Sequence, residues 1–216
     1  MRNIFSYDSL LMRILTRLFD IVILSVAFTI CALPIITIGA AQSALLSSIR
    51  AMLEPQKEIT PLRAFFKAFT SGFGKITLVW IFCLIPIGFS LYIIWGSIIS
   101  AAIVPSSFMF VCALIMLCCL SFQIMSSLLH SRFDCNVFDL IKNSWLMAVT
   151  YPLRALFMGI MVWIPLFFAL MEPYIFLASS PIFVFFYYTL VFMLCYYLIK
   201  DPFLKIEKQY FPNIDA

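Results

Sequence analysis

The feature that most constrains the fold is an uncharged stretch of 29 residues, 21–49, which lies between Asp20 and Arg50. A single transmembrane helix needs roughly 20 apolar residues, with a range of about 17–25. The stretch is therefore long for one membrane span and slightly short for two. How it folds determines the number of spans and the side of the membrane on which each terminus lies.

Two breaks divide this stretch, at Leu33-Pro34 and at Gly39. Proline disfavours helix at the residue before it, and glycine allows a flexible turn. We interpret the stretch as helix 1 at about 15–33 and helix 2 at about 37–53, with Pro34 and Gly39 as the structural turn. The alternative is one long span.

Composition places the whole chain in a bilayer. Hydrophobic residues make up 64% of the sequence and charged residues 11%, with a mean hydropathy of +1.09. A soluble domain carries about 25% charged residues. The apolar runs are long and unbroken, whereas a β-barrel would show alternating segments of about 10 residues. The sequence predicts an all-α, polytopic membrane helical bundle. The few basic residues are dispersed, which argues against a nucleic-acid partner.

The rest of the chain predicts four more spans and two interfacial amphipathic helices. Thr60-Pro61 is a helix-start signal, because threonine caps a helix and proline favours its first position. The interfacial helices are predicted at about 60–73 and 136–150. The spans are helix 3 at about 76–96, helix 4 at 106–129, helix 5 at 155–171 and helix 6 at 175–199.

The basic residues decide between six spans and five. With two spans in 21–49, all 14 Lys and Arg residues lie on the same side as both termini. With one span, Arg2, Arg13 and Arg17 would lie outside. Positive charge near short loops favours the cytoplasm. We therefore predict a multi-pass protein of the cell (plasma) membrane with six spans and both termini cytoplasmic, and five spans as the alternative. A cleaved N-terminal signal peptide would leave the next basic segment outside, which the same rule disfavours.

A weak internal repeat accompanies this layout. An offset of 79 residues aligns Arg63 with Lys142, and Ile85-Pro86 with Ile164-Pro165. The chain is thus predicted to be one membrane domain, 1–216, built of parallel repeats at 7–53, 60–131 and 136–206. Each repeat would enter and leave the membrane on the cytoplasmic side.

No motif for catalysis, metal binding or a cofactor occurs in the sequence, and we predict no catalytic residue, no metal and no cofactor. The seven cysteines have no metal-site spacing and are predicted to pack as small hydrophobic residues. Polar residues at membrane depth or at span ends are the remaining candidates. Gln42 and Gln123 are predicted to form interhelical hydrogen bonds, Glu172 to lie in an external turn, and His130 at a cytoplasmic helix end.

Several segments resemble a known family. FSYDSLLMRILTRLFDIVILSVAFTICALPIITIGAAQSAL, followed by PLRAFFKAFTSGFGK, is similar to the YesL-like family of small bacterial integral membrane proteins, most specifically at 33–39 and 65–69. Ala40 departs from the pattern, which leads us to expect proline. The family has no established activity. Its genes often lie beside carbohydrate importers, which implies an accessory role in sugar uptake.

Three functional hypotheses follow. The first is a non-enzymatic accessory or regulatory component associated with carbohydrate uptake, whose partners are the lipid bilayer and a carbohydrate importer's membrane subunit. The second is a small permease or channel for a neutral solute. A membrane enzyme is third. The sequence does not decide whether the protein forms a homo-oligomer.

Overall fold

The computed structural model of the protein describes residues 10–53, 60–99, 105–133, 135–171 and 173–210. The described residues form helices and no strand, which confirms the all-α class. The helices are α1 Leu10–Ala32, α2 Ile38–Leu53, α3 Pro61–Ile99, α4 Ser106–Arg132, α5 Val137–Thr150, α6 Pro152–Met171, α7 Pro173–Ile182 and α8 Tyr188–Tyr210. A short 3-10 turn, Ile35–Thr37, precedes α2, and a π-helical turn, Phe183–Tyr187, joins α7 to α8.

Five of these helical segments are long and apolar enough to cross a bilayer, or six if a bent pair counts as one span. The bent pair joins Val137–Thr150 to Pro152–Pro165 at an angle of 106°. The five segments are Leu15–Ala32, Ile35–Leu53, Pro61–Ser97, Ser107–Arg132 and Leu177–Lys200. The prediction of a helical membrane bundle with six spans, or five, is therefore confirmed.

The uncharged stretch 21–49 forms two antiparallel helices. α1 ends at Ala32, directly before Leu33-Pro34, and α2 begins at Ile38. Arg17 near the start of α1 donates a hydrogen bond to the carbonyl of Met52 at the end of α2, with a length of 2.8 Å. The two helices therefore fold back on each other as a hairpin.

α2 lies at the centre of the bundle, where it contacts α1, α3, α4 and α8. In the window Ile35–Leu53, 61% of the residues are buried, against 22% in Leu15–Ala32 of α1. Small side chains allow helices to approach closely in lipid, where a hydrophobic driving force between them is absent. The buried residues of α2 are accordingly rich in glycine, alanine and serine: Gly39, Ala40, Ala41, Ser43, Ala44 and Ser48.

α3 differs from its prediction. We expect a separate interfacial helix at 60–73 followed by a span at 76–96, but residues 61–99 form one unbroken helix of 39 residues. At about 1.5 Å per residue it is roughly 58 Å long. The hydrocarbon core of a bilayer is only about 30 Å thick. Part of α3 therefore extends beyond the apolar layer, and residues 61–73 continue into the span as one helix, which also contains Pro86 in its interior.

Arginines donate hydrogen bonds to backbone carbonyls of neighbouring helices at one end of the bundle, which we call the basic end. Arg50 Nη1 lies 3.4 Å from the carbonyl of Arg132 at the end of α4, and Arg154 donates to the carbonyl of Leu198 at 2.9 Å. Arginine near a helix C-terminus satisfies carbonyls that lack a partner within the helix and complements the helix dipole. Basic residues from α1, α2, α4 and α6 are thus gathered at one end.

Candidate functional site

The break at Pro34 is held in place by side chains from two helices. Thr37 Oγ1 donates to the carbonyls of Cys31, at 2.6 Å, and Pro34, at 2.8 Å. Trp80 Nε1 of α3 donates to the carbonyl of Ile35 at 2.6 Å. A proline leaves backbone carbonyls without their helical donors, and in a membrane each must find another. The turn is therefore fixed against α3.

Gly39 is not part of this turn. It lies in the first turn of α2, within a regular helix, and is buried. A Cβ atom at this position would lie 2.7 Å from Trp80 Cβ and 3.0 Å from Gln123 Nε2. Glycine is needed here because α2 approaches α3 and α4 closely. The prediction of a flexible turn at Gly39 is wrong, and close helix packing is the physical reason for this residue.

A cavity of about 440 Å³ opens beside this turn, between α1, α2, α6 and the start of α8. We call it the Gln42 cavity. Its wall is mainly apolar and aromatic, and its volume falls in the range of about 300–1,000 Å³ that is usual for small-molecule sites. The lining residues that matter below are Phe28, Thr29, Gln42, Trp163, Pro165 and Tyr188.

Two residues that line this cavity each have a buried polar atom with no hydrogen-bond partner in the described part of the chain. Gln42 is 1% exposed, and its Oε1 accepts no hydrogen bond within the described part of the chain. Trp163 Nε1 is likewise buried and finds no acceptor there. A buried polar atom without a partner costs about 1–3 kcal/mol, so most such atoms in folded proteins are satisfied. One acceptor and one donor in the same cavity indicate a place for a polar ligand.

Gln123 lies deeper, on a segment of α4 in which residues 121–129 are all buried. Its Nε2 is 3.4 Å from Ser127 Oγ, which is a long hydrogen bond, and its Oε1 has no partner among the described residues. The interhelical hydrogen bonds predicted for Gln42 and Gln123 are not seen in the described residues.

A pair of tryptophans connects the two glutamines. The Trp80 and Trp163 rings stack with their centroids 5.8 Å apart. Trp80 packs beside Gly39, next to which Gln123 also lies, and Trp163 lines the cavity together with Gln42. The structure thus brings both predicted glutamines to one layer of the bundle. Neither tryptophan is a candidate in the sequence, because aromatic side chains in an apolar run are usually lipid-facing.

A tyrosine stabilises the wall of the cavity formed by α6. Pro165 has no backbone N–H, so the carbonyl of Met161, four residues earlier, loses its helical donor. The Tyr187 hydroxyl donates to this carbonyl at 2.5 Å. Tyr187 is the last residue of the π-helical turn, and such turns often occur at functional sites. The last residue of the π-helical turn therefore donates the hydrogen bond that Pro165 cannot donate.

The other two polar candidates lie elsewhere. His130 is in the last turn of α4, in a second cavity of about 320 Å³ at the basic end that also contains Lys75 and Arg132. We call it the His130 pocket. Its position agrees with the predicted helix end, and Arg132 is its neighbour as expected. Glu172 lies outside the described residues.

The two cavities are lined by neighbouring residues of α2. Gln42 lines the Gln42 cavity, and the next residue, Ser43, lines the His130 pocket. Both residues are buried. The barrier between the cavities at α2 is therefore formed by consecutive residues of one helix and their neighbours.

The comparisons with known proteins give a family but no activity. Residues 19–94 match the model of a family described as "Protein of unknown function, DUF624". The match includes 33–39 and 65–69, where the resemblance to the YesL-like family is most specific, and it is consistent with that resemblance. No curated protein and no solved structure matches the chain. The chain is thus a helical membrane protein with a region similar to a family of unknown function.

Proposed function

We propose that this protein is a non-enzymatic membrane component that binds a neutral polar solute in the Gln42 cavity and assists the uptake of that solute. The observation that carries the proposal is a pair of buried atoms without a hydrogen-bond partner among the described residues, Gln42 Oε1 and Trp163 Nε1, on two residues that line one aromatic cavity. A hydroxyl group both donates and accepts, so a single polyhydroxylated ligand can satisfy both atoms.

Carbohydrate is the solute class that we propose. Sugars combine hydroxyl groups with apolar C–H faces, and the faces of Phe28 and Tyr188 offer matching apolar surface, with ring centroids 4.7 Å apart. The resemblance to the YesL-like family points in the same direction. In this proposal the protein works beside the membrane subunit of a carbohydrate importer, which would supply the energy.

Binding is tested by following tryptophan fluorescence of the purified protein during titration with a panel of neutral sugars. We expect a saturable change for the unmodified protein and a dissociation constant at least about tenfold higher for Gln42→Leu, because one hydrogen bond is lost. Gln123→Leu is the matched control, since it removes a buried amide that does not line the cavity. Equal binding by Gln42→Leu and the unmodified protein would show that the sugar does not bind in the Gln42 cavity.

A small permease is the second candidate, and the position of the two cavities favours it. They meet at the adjacent residues Gln42 and Ser43, so a limited movement of α2 would connect them. Reconstitution of the purified protein alone into liposomes separates the two candidates. Downhill flux of a sugar that Gln42→Leu reduces supports the permease. Binding without flux, together with co-purification of importer subunits in mild detergent, supports the accessory role.

The orientation in the cell membrane also belongs to the proposal. We expect the basic end to face the cytoplasm, because Lys and Arg near short loops are retained there. Reporter fusions after Met1, Lys57, Asn136 and Ala216 should then report cytoplasm, and fusions at Ala102 and Pro173 the outside. An external Met1 combined with an internal Lys57 would contradict this orientation.

A further inference from the structure

The His130 pocket is lined by Ser43, the residue next to Gln42 on α2, and its chemistry differs from that of the Gln42 cavity. Its volume is about 320 Å³, and its wall is formed mainly by polar atoms. Three helices contribute to it: Ser43 and Ser47 from α2, Ser71 and Lys75 from α3, and His130 with Arg132 from α4. The Gln42 cavity, in contrast, has a mainly apolar wall.

Positive charge is concentrated in this pocket. Lys75 and Arg132 are both half-buried and both line it, together with His130. Arg50 is close as well, because its Nη1 lies 3.4 Å from the carbonyl of Arg132. Partial burial strengthens the attraction between these cations and an anion, since water screens it less.

A glycine in α3 provides the space that the His130 ring occupies. Gly72 is buried, and a Cβ atom at this position would clash with His130 Nε2. Glycine in the middle of a helix costs about 1 kcal/mol relative to alanine. Its presence here keeps the His130 ring inside the pocket, beside the lysine one turn further along α3.

Hydroxyl groups complete the wall. Ser47 Oγ donates to the carbonyl of Ser43 at 2.9 Å, and Ser71 Oγ to that of Ala68 at 3.4 Å. The second bond is long, so the Ser71 hydroxyl can turn toward a ligand at little cost. Serine hydroxyls and basic side chains together are typical ligands of phosphate oxygens.

We propose that the His130 pocket binds a phosphate group, with Lys75 and Arg132 as its charged ligands. The group comes either from an anionic phospholipid or from a soluble phosphate compound. Basic pockets between transmembrane helices are known to hold lipid head groups. The site is separate from the Gln42 cavity and does not depend on the function proposed for that cavity.

The test uses the purified full-length chain and a double variant, Lys75→Gln/Arg132→Gln. Thermal unfolding in neutral detergent is followed with increasing sodium phosphate, against sodium chloride at the same ionic strength. In parallel, nanodiscs of phosphatidylcholine with and without phosphatidylglycerol are compared for stabilisation. Arg63→Gln/Lys67→Gln is the matched control, because it removes the same two charges from exposed positions of α3.

For the unmodified protein we expect a melting temperature that begins to rise once the concentration of phosphate or phosphatidylglycerol exceeds the dissociation constant, and that then keeps rising with the logarithm of the concentration. The concentration at which the rise begins should be at least about tenfold higher in the double variant and unchanged in the control. Stabilisation by both inorganic phosphate and phosphatidylglycerol identifies a soluble phosphate site that also accepts lipid. Stabilisation by phosphatidylglycerol alone identifies the lipid as the source.

A second measurement covers the case in which the double variant does not fold. In the unmodified protein, acylation of Lys75 by an amine-reactive ester is measured by mass spectrometry, with exposed Lys67 as the internal reference. Phosphate or phosphatidylglycerol bound in the pocket should slow the acylation of Lys75 and not the acylation of Lys67. Equal rates with and without ligand, or equal stabilisation of the double variant and its control, would overturn the proposal.

Discussion

Two regions of the molecule start from the same sequence pattern and fold differently. Residues 60–73 and 136–150 both predict an amphipathic helix that leads into a span. In the first region the helix continues without a break into the membrane as α3. In the second, α5 ends at Thr150 and the chain turns by 106° into α6. An amphipathic pattern therefore predicts the helix but does not determine its angle to the span that follows.

The two regions differ in sequence at the point where their structures diverge. The repeat offset places Gly72-Phe73 of α3 opposite Tyr151-Pro152. Proline cannot continue a helix from the preceding residue, and Tyr151 accordingly has a non-helical backbone, with φ −125° and ψ 60°. In α3 the equivalent residues are compatible with a continuous helix. His130 also packs on Gly72 and thereby holds this part of α3 against α4. The proline allows the chain to bend between α5 and α6, and packing against the rest of the bundle then holds each region in its own shape.

The largest effect is expected when the proline of the elbow is introduced at the equivalent position of α3. Phe73→Pro should bend α3 and lower the free energy of unfolding by about 3 kcal/mol or more, because a helical hydrogen bond is lost and the ring clashes with the preceding turn. Spin labels at Arg63 and Tyr92 measure the bend as a shorter distance. They need a chemistry that does not use cysteine, since the chain has seven.

Phe73→Ala is the control for that substitution, since it removes the ring and keeps the helix. An unchanged distance between the labels in Phe73→Pro would show that packing, and not the backbone, keeps α3 straight.

A smaller effect is expected from Gly72→Ala, which removes the space for the His130 ring. We expect a loss of about 1–3 kcal/mol, as is usual when a packed position is overfilled. Gly74→Ala is a matched control two residues further along, where a Cβ atom would meet nothing within 4 Å. There the helix propensity of alanine should raise stability by about 1 kcal/mol. Thermal unfolding measures both, and equal changes in the two variants would contradict the packing argument.

The smallest effect is expected from Pro152→Ala. Pro152 is the first residue of α6, where a missing N–H costs little. The buried residues of α5, Leu140, Ser144 and Met147, should hold that helix against the bundle without the proline. We therefore expect a change below about 1 kcal/mol, and an unchanged distance between spin labels at Phe138 and Ile160. A longer distance would show that Pro152 maintains the bend by itself.

Much of the fold could be predicted from the sequence, because membrane spans depend on length and hydropathy. The hairpin at Pro34 follows from the proline and from the length of the uncharged stretch. The continuity of α3 could not be predicted, because an amphipathic pattern carries no information on the angle between two helices. Gly39 shows a related limit. A glycine that provides space for Trp80 looks the same in sequence as one that provides a turn.

The candidate cavity was predicted only in part. Gln42 and Gln123 stand out because amides are costly in lipid. Trp163 does not, since an indole in an apolar run usually faces lipid and only the fold places its N–H in a closed space. The role of Tyr187 depends on Pro165 in another helix, and no local pattern relates the two residues.

The central position of α2 has a consequence for how the protein enters the membrane. This helix buries three polar residues, Gln42, Ser43 and Ser48, and has the lowest mean hydropathy of the five candidate spans. Polar side chains reduce the tendency of a segment to partition into lipid by itself. We therefore expect α2 to insert only together with α1, as one hairpin. It should remain at the translocation channel until α3 and α4 are also present and pack around it. The helix around which the fold is built would then be the one whose membrane insertion depends most on its neighbours.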